Sequence, residues 1–138
     1  MAASGSAYDE AWLKLLHYHK TLNGYQGLVE NQEFYISSDG RNNPQAEFMA
    51  EVKAFAEGKE KCRFPARFNY LKQLGKVRGN LSGCKEYQQF MHDVRPNGIT
   101  ILFTNAYMSN PASLFGHTLV RIDTARKGTQ MLAHGSNF

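Results

Sequence analysis

The sequence predicts an α+β fold, with N-terminal helices packed on a small antiparallel sheet. Three observations predict it. Apolar residues recur at helical spacing from Trp12 to Val94, strand-like alternation begins only after the break Arg95-Pro96-Asn97-Gly98, and no internal repeat or low-complexity tract interrupts that order.

Each element follows from a local signal. Asp9 can cap a first helix in which Trp12, Leu15, Leu16 and His19 share a face, with its end expected near Asn23-Gly24. "FYISSDGRNNP", Phe34 to Pro44, carries the Asp-Gly and Asn-Pro punctuation of a loop. Asn43-Pro44 opens a second helix, whose apolar face is Phe48, Val52, Phe55 and Ala56 and which Gly58 closes. "EGKEKCRFPARF" leads into a third helix through Tyr70, Leu71 and Leu74. After the link "GKVRGNLSG", Tyr87, Phe90, Met91 and Val94 mark a fourth. Strands are then expected at Ile99–Phe103, His117–Asp123 and Thr129–Ala133, the last two as a hairpin. Residues 1–8 read as a flexible or appended lead and residues 9–138 as a single α+β domain. The ending "MLAHGSNF" follows a strand with no turn, cap or polar tail, so the domain is expected to be the N-terminal part of a larger one, incomplete at its C-terminus.

Bulk composition bounds the function. A chain of 138 residues that is 42% hydrophobic and 12% aromatic can build a core and does not default to disorder. Its net charge of +4 is modest, and basic residues are not gathered into a long unbroken block, so nucleic acid is not an expected partner. No run approaches the roughly 18 apolar residues of a membrane span, and the start lacks the pattern of a signal segment.

Five histidines invite a metal reading, but His17 and His19 are two apart, His92 and His134 are isolated, and no His-Glu-x-x-His or Cys-x-x-Cys occurs. No metal site and no cofactor is expected. Cys62 and Cys84 flank one connection, each near a helix start, which suits a disulfide. Two other readings stay open: a reactive Cys62 activated by Arg63 and Arg67, or a pair of buried thiols. His117 stands apart, because Gly116 frees the backbone before it, Asn110 and Ser113 form a polar turn near it, and a strand fixes its base. It lacks a nucleophile, since there is no Gly-x-Ser-x-Gly elbow and neither cysteine carries a nucleophile signature.

"WLKLLHY", "FYISSDGRNNPQAE", "CRFPARFNYL" and above all "AYMSNPASLFGHTLVRID" resemble the Lnb N-terminal periplasmic domain, long described as a domain of unknown function in Gram-negative envelope proteins. The resemblance runs in order from Trp12 to Phe138, with "HGSNF" departing from the family's more apolar ending and Asn137 standing at its conserved Asn. It implies a periplasmic location, inner-membrane association of the full-length protein, and acyltransferase-type thiol chemistry like that of lipoprotein N-acyltransferases. The acyl donor would be a phospholipid and the acceptor a lipoprotein N-terminus. It also implies a permuted NlpC-like, papain-like fold in which a strand histidine serves a cysteine on a later helix. His117 would then be the general base for a cysteine beyond residue 138, with activity expected only in the full-length protein. Asn110 and Ser113 would line the site or offer oxyanion contacts. Arg63, Arg67 and Arg121 would meet lipid phosphate, a structural ion pair being the competing role of each. The alternatives are an NlpC-like cysteine amidase or peptidase and a non-catalytic periplasmic binding or assembly module.

Overall fold

The computed structural model describes residues 6–104, 117–124 and 134–137. They are helices with small antiparallel sheets, an α+β chain that divides into two compact units, Met1–Cys84 and Lys85–Phe138. Sequence reading takes 9–138 together; in the structure each unit has its own secondary structure.

In the first unit, α1 (Glu10–Leu15) is followed by a hairpin of β1 (Tyr18–Thr21) and β2 (Gly24–Gly27), a 3-10 turn (Gln32–Phe34), α2 (Pro44–Ala56) and α3 (Pro65–Gln73). The first helix is shorter than its apolar rhythm predicts. His17 adopts a φ of 57°, a left-handed conformation that ends helices, and the chain turns into β1. His19, expected on a buried helical face, is an exposed strand residue. Asn23-Gly24 serves the hairpin instead of a helix stop, with Thr21 paired to Gly24 and Gly24 at a φ of 133°.

The start of α2 follows the sequence. The Asn43 side chain accepts from the Ala46 amide at 3.0 Å, and Pro44 occupies the first turn, where its missing N–H costs nothing. Its buried face differs from expectation, because Glu47 and Glu51 join Pro44, Phe48 and Phe55 there, while Val52 is half-buried and Ala56 exposed. Trp12 packs edge-on against Phe48 at 5.2 Å and stacks on Tyr70 of α3 at 5.6 Å, and Phe55 meets Phe68 at 5.8 Å. These aromatic contacts, with Leu16 and Leu71, form the core.

Arg67 of α3 explains the two acids. Its side chain is 4% exposed and its Nη1 donates to Glu51 Oε1 at 2.9 Å and to the Phe34 carbonyl at 2.8 Å, with Glu47 Oε1 at 3.7 Å. Phe34 and Phe64 cover the guanidinium from 4.2 and 4.1 Å. Glu47 also accepts from the amides of Ile36 and Ser37, each at 2.8 Å, which ties the loop before α2 to the helix pair. Burial pushes the Glu51 carboxyl up to about 9; the Arg67 cation opposes that shift and Glu47 adds to it. At neutral pH Glu51 therefore keeps its proton. Trp12 Nε1, Glu51 Oε2 and Arg67 Nη2 are buried with no hydrogen-bond partner among the described residues.

Cys62 and Cys84 form a disulfide with their Cα atoms 5.1 Å apart. That settles the three cysteine readings: Cys62 offers no free thiol, and the reactive-thiol and paired-thiol readings fall away.

The second unit opens with α4 (Lys85–Val94), ended at Arg95 by a φ of 45°. Of its expected apolar face Val94 is buried and Tyr87 half-buried, whereas Phe90 and Met91 are exposed. Strands β3 (Pro96–Thr104), β4 (His117–Thr124) and β5 (His134–Asn137) follow, antiparallel in that order. The expected strand at Thr129–Ala133 lies outside the described residues; the strand that pairs with β4 begins at His134. Strand alternation puts Ile99, Ile101 and Phe103 on one face of β3, paired with Ile122, Val120 and Thr118. All three β3 residues are at least 70% exposed.

Two outcomes are expected. Reduction should add two alkylatable thiols by intact mass, and Cys62→Ser with Cys84→Ser should lower the first unit's stability by about 3 kcal/mol, as closure of a loop of this length predicts; two thiols alkylated without reductant would contradict the bond. Glu51 ionises near 4.5 when unfolded and near 9 when folded, so the stability it confers is complete below the first value and is lost as pH rises towards the second. Urea midpoints should therefore fall from pH 5 to about pH 9. Glu51→Gln, neutral throughout, should flatten that decline, and an unchanged slope would show that Glu51 is ionised in the fold.

Candidate functional site

His117 is the first residue of β4, as its sequence context predicts, and pairs with Thr104 of β3. The pleat repeats every second residue, so His117, Leu119, Arg121 and Asp123 belong to one face of β4 and Leu102 and Thr104 to the same face of β3. Asn137 pairs with Leu119 across β4 and β5, which puts it on that face too, one alternation along from His117. A register slip of one residue would move this whole set to the other side of the sheet. The irregularity between Pro96 and Gly98 absorbs one extra residue at the far end of the ladder and leaves the pairing from Ile99 to Thr104 in step.

Polar groups near the other end of β4 form a closed set. Thr100 Oγ1 donates to Asp123 Oδ2 at 2.6 Å, Arg121 Nε donates to Asp123 Oδ1 at 2.8 Å, and Arg121 Nη2 donates to Thr100 Oγ1 at 3.2 Å. The Thr100 hydroxyl and the Arg121 guanidinium both hold the Asp123 carboxyl below its usual range. Arg121 and Asp123 are part-exposed, so this is a screened surface pair whose main effect is to fix the direction of the guanidinium. Thr100 and Asp123 were not singled out by sequence reading. The signal for Asp123 is its i+2 spacing from Arg121 on a strand, whereas Thr100 needs the register.

The remaining expected site residues are dispersed. Asn110 and Ser113 lie outside the described residues. Arg63 is exposed, pairs with Glu60 at 3.5 Å, donates to the Glu33 carbonyl and lies over the Phe64 ring. Arg67 is an interior cation and takes the ion-pair role that competed with lipid phosphate, its buried acid partners being what the interior requires of it. Cys62 and Cys84 are joined to each other. Among the described residues no three His, Cys, Asp or Glu side chains gather where they could hold a metal ion, and no helix is long and apolar enough to cross a membrane.

Two family models match the chain, and they divide it near the boundary between the two structural units. Residues 7–74 match a domain of unknown function, DUF7843, which takes in the stretches "WLKLLHY", "FYISSDGRNNPQAE" and "CRFPARFNYL". No curated protein and no solved structure matches the chain significantly. The strand that His117 opens, with the whole three-stranded sheet and nearly all of α4, falls within residues 86–138, which match the family model of the Lnb N-terminal periplasmic domain.

Proposed function

We propose that this chain is part of a periplasmic envelope enzyme of the thiol acyltransferase type, in which His117 is the general base for a cysteine supplied by a segment outside residues 1–138. The observation that carries the reading is the family match over 86–138, within which His117 opens a central strand flanked on both sides. Such a position gives a general base the fixed backbone that its catalysis requires. Asn137 of β5, which pairs with Leu119, would be a candidate for the third group that orients the imidazole. A permuted NlpC-like arrangement, with the thiol on a later helix, is consistent with a strand histidine of this kind. Because both cysteines of the chain are in a disulfide, neither is the nucleophile.

In the first half-reaction the imidazole takes the thiol proton, the thiolate attacks the acyl carbonyl of a phospholipid, and a thioester forms as the lysophospholipid alkoxide leaves with the proton returned by imidazolium. In the second, a lipoprotein N-terminal amine attacks the thioester, His117 accepts its proton, and the thiolate is released. Both steps use one base twice. Asn110 and Ser113 would contribute oxyanion or turn-ordering contacts. A second reading, a non-catalytic binding or assembly module, is favoured by the exposed row Ile99, Ile101 and Phe103, which another polypeptide surface could cover.

In the full-length protein, His117→Ala should reduce single-turnover acylation by about 10²-fold or more, the scale for deleting a general base. Its urea midpoint should stay near wild type, in contrast to Leu119→Ala, where losing a part-buried side chain from the middle of the sheet should cost stability. A destabilised His117→Ala enzyme with full turnover per folded molecule would end the catalytic reading and leave the binding module.

A further inference from the structure

We propose that the disulfide-closed segment of the first unit is a docking surface for an anionic phospholipid bilayer. The unit's charge is divided along its sequence. Residues 1–60 hold five basic and nine acidic residues, whereas residues 61–84 hold six basic and no acidic ones. The disulfide between Cys62 and Cys84 closes residues 62–84, all of them within this acid-free stretch.

Three of its six cations are already committed. Arg67 is buried with Glu47 and Glu51, Arg63 is held by Glu60 and the Glu33 carbonyl, and Lys61 donates to the Asn80 carbonyl at 3.1 Å. Lys72, Lys76 and Arg78 remain: all are exposed, and none has a side-chain hydrogen bond or ion pair among the described residues. They are nevertheless carried on an ordered backbone. Leu71, Val77, Leu81 and Cys84 are at most 6% exposed; Leu71 adjoins Lys72, and Val77 stands between Lys76 and Arg78, so each cation is next to a buried residue that pins its backbone. The turn that separates Lys72 from Lys76 is fixed by Gly75 at a φ of 69° and by the Lys76 amide donating to the Leu71 carbonyl at 2.9 Å.

The chemistry of the partner follows from this shape. Exposed cations on a pinned ledge fit an extended array of phosphates better than a single enclosed one, and none of the three lines the groove of about 290 Å³ formed by Ile36, Ala50, Lys53, Ala54 and Glu57. The family match is to a periplasmic domain, a compartment bounded by phospholipid surfaces, and each Lys or Arg near an anionic bilayer adds a similar increment of attraction. The inference concerns the first unit and does not rest on the reading of His117.

Cosedimentation with vesicles tests it, using phosphatidylcholine alone and phosphatidylcholine mixed with phosphatidylglycerol, at low and high salt. The protein should bind only the mixed vesicles and should release as salt rises. Replacing Lys72, Lys76 and Arg78 together by Gln should weaken that binding by about 10²-fold. A control with the same change in net charge, Lys14→Gln, Lys20→Gln and Lys53→Gln, should bind nearly as wild type. The proposal is overturned if the first triple variant binds as wild type, if both triples lose binding equally, or if pure phosphatidylcholine is bound as well. Retention by heparin or polyphosphate without vesicle binding would also overturn it, by assigning the patch to a soluble polyanion. None of these outcomes measures acyl transfer, so failure here leaves the proposed function standing.

Discussion

A guanidinium inside an 84-residue unit sets most of the first unit's architecture. Arg is almost never buried unless paired, because removing its charge from water costs several kcal/mol. Arg67 meets that requirement with two acids one helical turn apart on α2, a carbonyl from the 3-10 turn, and two aromatic rings. Glu47 is shared between the cation and two loop amides, so the loop and the two helices cannot be separated without stranding a charge. The same crowding dictates Gly40, since a Cβ there would overlap Glu47 Oε2 and the Tyr35 side chain. A protonated Glu51 reduces the charge that the cluster has to bury.

How far the sequence reveals this depends on whether a signal is local. Asn43-Pro44 announces the start of α2 because the capping bond closes within three residues. The hairpin at Tyr18–Gly27 is hidden, because Trp12, Leu15, Leu16 and His19 fit a helical face and periodicity cannot register the left-handed turn at His17. The burial of Glu47 and Glu51 has no local signal for a similar reason: the partner that makes them interior residues is Arg67, on another helix. In the second unit, the strand start at His117 is legible from Gly116 and the alternation that follows. The link from Thr100 to Asp123 is not, since it exists only once β3 and β4 are set in register. Of the expected site, Asn110 and Ser113 fall outside the described residues, and the arginines, grouped by charge in the sequence, separate into different environments once folded.

The two units are held by different means. Buried aromatics, the Arg67 cluster and a disulfide stabilise the first. The second relies on the β3–β4 ladder, and its apolar residues are poorly covered: Ile99, Ile101 and Phe103 face outward, as do Phe90 and Met91 on α4. An all-polar solvent face would be expected of a finished antiparallel sheet with one side in water. Alternation on β3 instead gives an apolar row on one face and Thr100, Leu102 and Thr104 on the other, so the sheet face that carries His117 is the more polar of the two.

That polarity bears on which cations can meet phosphate. Arg121 lies on the His117 face, but its Nε and Nη2 are directed at Asp123 and Thr100, so a phosphate recruited there must share or displace those bonds. Arg67 would have to abandon two buried acids, leaving them unpaired in the interior, a change costing about 3–5 kcal/mol. Arg63 keeps an exposed guanidinium but divides it between Glu60 and a backbone carbonyl. Within residues 61–84, Lys72, Lys76 and Arg78 are the cations without such commitments, and they belong to the other unit from His117. The proposed attraction to an anionic surface and the proposed chemistry at the strand histidine would therefore answer to substitutions in different units of the chain.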